Sequence, residues 1–151
     1  MKNLRSVVLF ISGVLFSGPS FANVTDLSCD FKNGGDMLIT HDDDNIYIAY
    51  SDPKFSPDDN VIILDKSSKN VEQVTIPATQ YAEFSLSGIT DQNTMVYVSY
   101  IPKNQDGIPV ADFSLSNDKR KIIQKDKCIV DTIKTKNNLI EEGISGVRVR
   151  K

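Results

Sequence analysis

Histidine and cysteine are scarce in this chain: 151 residues hold one histidine, His41, and two cysteines, Cys29 and Cys128. With no CxxC pair, these three side chains fall short of the four ligands a structural zinc takes. Histidine-based nucleophilic catalysis would have to rest on His41, which stands beside Asp42, Asp43 and Asp44 and reads as a solvated turn residue. No catalytic residue is assigned, and neither a cofactor nor a metal is expected. The acidic run from Asp42 lacks a glycine at its sixth position, and Pro53 stands where the closing glutamate of a calcium loop belongs. Internal repeats and low-complexity segments are also missing. So, beyond residue 22, is any apolar run near the about 20 residues that cross a bilayer. Excess positive charge is absent too. The formal charge is −3, and losing Lys2 and Arg5 with the first 22 residues leaves −5. That balance does not invite nucleic acid or anionic membranes as partners and favours a basic one.

What is present begins with residues 1–22. Lys2 and Arg5 precede the apolar run Val7 to Phe16, Pro19 breaks it, and Ser20-Phe21-Ala22 places small residues where a signal peptidase reads. This layout predicts a signal peptide cleaved after Ala22, and a periplasmic or secreted protein with no membrane anchor. The remaining 23–151 are enough for one domain with its own core. In an oxidising compartment the two cysteines have one intramolecular pairing, Cys29 to Cys128, a staple between the first and last strands. The chain-entropy model values such a loop of about 100 residues at about 4.7 kcal/mol.

Short β-rich runs alternate with polar turns at intervals of about ten residues, the mark of an all-β sandwich or barrel. The expected strands are Asp36 to Thr40, Ile46 to Ser51, Val61 to Leu64, Val71 to Ile76, Ala82 to Leu86, Met95 to Ile101, Ala111 to Ser116, Lys121 to Gln124 and Lys127 to Ile133. Phe84 and Leu86 share one face of their run, as Phe113 and Leu115 do of theirs, a period of two that no helix stripe can use. Both faces of Met95 to Ile101 are apolar or aromatic, which places that strand centrally. The segment Ile39 to Tyr50 predicts a hairpin with an acidic tip. Prolines fall between runs or at their ends, and the longest loops are Asp52 to Asn60 and Pro102 to Pro109. The fold expected is an antiparallel β-barrel or sandwich of about seven to nine strands with one disulfide. In the tail, 137–151, Asn137 to Glu142 predicts one helical turn, and the terminal VRVRK is either an added edge strand or frayed.

The segment Ser85-Leu86-Ser87-Gly88, the following strand with Tyr97 and Tyr100, and Lys103 beyond it together resemble periplasmic lysozyme inhibitors of the small disulfide-bonded β-barrel type. Cys29-Asp30 and Cys128 occupy the ends where that family's bridge lies. The resemblance implies a loop carrying Ser85, Ser87 and Gly88 that enters a hydrolase cleft. There Ser87 would hydrogen-bond one catalytic carboxyl group and Lys103 would pair with the other, while Gly88 admits close backbone approach. It implies a non-enzymatic protein binder with a basic lysozyme as partner. Two alternatives stand beside it: an immunity protein against a secreted toxin, and a carbohydrate-binding or adhesion subunit in which exposed tyrosines stack on sugars.

Overall fold

The computed structural model describes residues 24–54, 56–79 and 81–150. The predicted signal peptide lies outside these. The described residues form a β-sandwich of two antiparallel five-stranded sheets. The first sheet contains β1 (Val24–Asp30), β2 (Asp36–His41), β3 (Asn45–Asp52), β4 (Ser56–Asp65) and the two-residue β10 (Lys134–Thr135), in the order β10-β1-β2-β3-β4. The second is a plain meander of β5 (Glu72–Ile76), β6 (Glu83–Ile89), β7 (Met95–Ile101), β8 (Val110–Ser116) and β9 (Ile122–Lys127). The strand Met95–Ile101 is central, as its apolar faces require. The hairpin at the acidic turn is β2–β3, in the register Met37↔Tyr50 to His41↔Ile46.

The period of two explains the interior. From the first sheet Leu27, Met37, Ile39, Ile46, Ile48 and Leu64 point inward; from the second, Phe84, Leu86, Val96, Val98 and Phe113 meet them in one continuous core. The Phe113 ring packs on Phe31 and Tyr50, with centroids 5.7 and 5.0 Å away. Gly88 is buried on this inner face, where an added Cβ would come within 2.6 Å of Leu64 Cδ1. A bare Cα there lets β6 sit against β4.

The two sides of the sandwich are closed differently. Where β1 nears β9, Phe31 bridges Cys128, the Ile129 N–H donates to the Asp30 carbonyl at 2.8 Å, and the Cys29–Cys128 disulfide joins Cα atoms 5.6 Å apart. On the other side the C-terminal segment completes the edge of β5. The buried Gln73 amide donates to the carbonyls of Ile144 and Val147 and accepts from the Ile144 N–H at 2.7 Å. Its backbone pairs in parallel with Val149. The tail is therefore an added edge segment. Ahead of it, α1 (Leu139–Glu142) is the expected single turn, with Asn138 at its N-cap, and it ends at Gly143 with φ +63°. A Cβ at Gly143 would run into the Gln73 amide.

Several boundaries differ from expectation, three of them for a clear physical reason. The strand β1 is missing from it, because Asp26 interrupts the apolar alternation: it is the extra residue of a bulge between the pairs Thr25↔Thr40 and Leu27↔Ile39. Half of the expected loop Asp52 to Asn60 is the start of β4, whose second residue is Pro57; an edge strand tolerates the missing donor. The run Lys127 to Ile133 is not a strand. It becomes a 3₁₀ turn, Val130–Thr132, because the Thr132 hydroxyl donates to the Ile129 carbonyl at 2.7 Å and accepts from the Asp30 N–H at 2.9 Å.

Candidate functional site

The residues expected to form the insertion loop do not form a loop. Ser85, Ser87 and Gly88 all lie inside β6; Ser85 and Ser87 are paired to β5 on one side and β7 on the other, and Gly88 to β7. Two neighbouring strands satisfy this backbone, so it cannot protrude into a cleft. Ser85 is buried and Ser87 half-buried on the outer face, while Gly88 serves the packing against Leu64. Lys103 is exposed on the β7–β8 loop, beyond the Phe84↔Tyr100 end of the ladder, in a depression shared with Tyr81 and Glu83. Ser87 is four strand residues from Glu83, roughly 13 Å away. The structure thus separates Lys103 from Ser87 and Gly88. Cys29 and Cys128 are joined as expected.

His41 is also placed differently from its expected solvated position. It is buried at the end of β2, with Nδ1 2.6 Å from Asp26 Oδ2. Lys136 Nζ approaches the other Asp26 oxygen at 3.4 Å. The bulge turns Asp26 inward, and Met37, Ile39 and His41 continue one alternating inner row. That row was the sequence signal for a buried histidine. These three side chains tie β1, β2 and the segment after β10 together.

Outward-facing side chains on the first sheet form a different kind of site. One cross-strand row reads Lys134, Ser28, Leu38, Ala49, Val61, and the next Thr25, Thr40, Tyr47, Ile63. Val61 and Ile63 are each 57% exposed and Leu38 is 40% exposed, which leaves an apolar stripe ending on the edge strand β4. Carboxylates bound it at both ends. At one end are Asp30 and Asp36, paired across β1 and β2, and at the other the turn Asp42 to Asp44 with Asp65. Asp42 accepts from the Tyr47 hydroxyl at 2.7 Å and from the N–H groups of Asn45 and Asp44. The Tyr47 hydrogen bond foremost, then those backbone donors, hold its carboxyl below the ordinary aspartate value. Hydrogen bonds from the hydroxyl and N–H of Ser67 do the same for Asp65. Asp42 and Asp65 are therefore ionised at neutral pH.

The chain matches no family model, no curated protein and no solved structure. Among the described residues no helix is long and apolar enough to cross a membrane, and no group of three or more His, Cys, Asp or Glu is arranged to hold a metal ion. Both thiols are joined in the disulfide, and the group found on His41 is the Asp26 carboxylate. The outer face of the first sheet is suited to non-covalent recognition. Its apolar centre would lose contact with water on docking, and its acidic ends would steer and orient a cationic surface.

Proposed function

We propose that this chain is an exported binding protein that docks a cationic protein on the outer face of its first sheet, the leading partner being a lysozyme-type cell-wall hydrolase that it inhibits. The observation that carries the reading is the apolar stripe Leu38–Val61–Ile63 with carboxylates at both ends. An isolated exposed leucine or valine needs no explanation, but adjoining rows that end on an edge strand do. The buried disulfide and the leader-like residues 1–22 support export to the periplasm or beyond. A net charge of −5 without the leader supports a basic partner. Inhibition then requires no insertion of Ser85 or Ser87. Lys103 stands on the β7–β8 loop of the other sheet, so docking on the first sheet does not call on it either.

Mixing residues 23–151 with chicken-, goose- and invertebrate-type lysozymes tests this by muramidase activity and by calorimetry. Saturable inhibition that weakens with salt is expected, with loss of binding in the double variant Val61→Lys, Ile63→Lys and unchanged inhibition by Lys103→Ala. Unchanged binding by the double variant would discard the face, and no complex with any of the three enzymes would discard the lysozyme partner. Tight binding of a secreted toxin instead would move the same face to an immunity role.

A further inference from the structure

The second sheet carries a separate concave site on its own outer face, independent of the docking face above. It is a depression of about 420 Å³ in which residues from the β4–β5 turn, β5, β6, β7 and the C-terminal segment converge. Its wall is Tyr97, 40% exposed, flanked by the apolar side chains of Met95 and Ile89. Ser87 lies directly opposite Tyr97 across the β6–β7 ladder, and Glu72 lies opposite Ser87 across β5–β6. One row therefore presents a carboxylate, a hydroxyl and an aromatic ring side by side.

The charge at this rim is opposite to that of the chain. Arg150 Nη1 is 3.4 Å and Arg148 Nη2 3.2 Å from the Glu72 carboxylate, and Arg148 Nη2 also donates to the Lys69 carbonyl at 2.7 Å. Lys69 and Arg150 both line the depression. Three cations face one carboxylate, which leaves two positive charges in excess on an otherwise acidic protein. Both arginines are more than half exposed, so solvent can be exchanged for a ligand without breaking a buried pair. Their position is set from inside: the Gln73 N–H donates to the Arg148 carbonyl at 2.9 Å and the Arg150 N–H donates to the Gln73 carbonyl at 2.8 Å.

We propose that this depression binds a sugar bearing a carboxylate, with the apolar face of the ring on Tyr97, ring hydroxyls near Ser87 and Glu72, and the carboxylate on Arg150. An aromatic wall with a few convergent polar groups suits a small amphipathic ligand better than a simple ion, and a guanidinium suits a planar carboxylate. Gly88, which also lines the depression, leaves it unobstructed because its side-chain position faces Leu64.

The test is an amide-resonance titration of residues 23–151 with N-acetylmuramic acid, N-acetylglucosamine, which lacks the carboxylate-bearing arm, and lactate. N-acetylmuramic acid should shift the Ser87 and Tyr97 amides saturably, and N-acetylglucosamine should bind about tenfold more weakly. Arg150→Gln should erase that preference. Tyr97→Ala should remove binding of both sugars, whereas Tyr97→Phe should keep it. The Val61→Lys, Ile63→Lys double variant should bind both sugars normally, which separates this site from the docking face. No saturable shift at Ser87 and Tyr97, normal binding by Tyr97→Ala, or lactate binding as tightly as N-acetylmuramic acid would each overturn the proposal.

Discussion

The outer faces of the two sheets are near inversions of one another. On the first sheet the central rows are apolar (Leu38–Ala49–Val61, then Tyr47–Ile63) and the ends are acidic. On the second the central rows are polar and rich in serine (Glu72–Ser87–Tyr97–Ser114–Lys125, then Val74–Ser85–Ser99–Asp112–Lys127), and apolar side chains gather at the ends, as in Ile89, Met95 and Ile122. Both inner faces obey one demand, to fill a shared core. Burial leaves the outer positions undetermined, so what stands there is free to answer to a partner. An apolar centre suits a broad dry contact, and a hydroxyl-rich centre with one exposed ring suits a small polar ligand.

If stability resides inside and recognition outside, the largest losses of stability come from inward residues. Replacing both Cys29 and Cys128 with serine opens a loop with a sequence separation of 99 residues. Urea unfolding should then report a loss of about 4.7 kcal/mol in the chain-entropy model. Next comes Asp26→Ala, which leaves Lys136 and His41 without their buried carboxylate; a loss of about 3 kcal/mol is expected from the same measurement. A value near zero would mean that the bulge, not the charge, is what β1 requires. Outward, Ile63→Lys should change stability by no more than about 0.5 kcal/mol. A large loss would turn the apolar stripe into a structural feature and remove the contrast between inner and outer residues. Smallest is Tyr47→Phe, which removes the main group lowering the Asp42 pKa. A carbon-detected titration should then show the Asp42 carboxyl moving back up toward its ordinary value. The sign follows from linkage. A depressed folded-state pKa contributes stability above the unfolded value, about 3.9, and that stability is lost as pH falls through the folded value. In the Tyr47→Phe protein less of it exists to lose.

Most strands were readable because alternation is a direct record of burial. Met95–Ile101 agrees residue for residue, and the β2–β3 hairpin followed from its acidic turn. β1 escaped because one bulged aspartate breaks the period there, and the 3₁₀ turn because Thr132 bonds to Ile129 and to the distant Asp30. The site was less readable. The resemblance implied a loop at Ser85, Ser87 and Gly88, yet the alternation already read in Phe84 and Leu86 runs on through Gly88 and keeps the segment in the strand. Both proposed outer-face sites depend on which strand lies beside which, as in the Ala49↔Val61 and Ser87↔Tyr97 pairs, and register between distant segments is not written in any one of them.

The Gln73 clamp has a bearing on how the molecule reaches its native state. Its carboxamide is answered only by residues 144–147, more than seventy positions downstream, and the seam at Cys29 waits for Cys128. A chain emerging amino end first therefore exposes an unmatched thiol and an unfinished sheet border for most of its synthesis or transport. Closure is postponed until almost the whole polypeptide is free, so a nascent chain stalled before Gly143 should be open to proteases and to holdase chaperones.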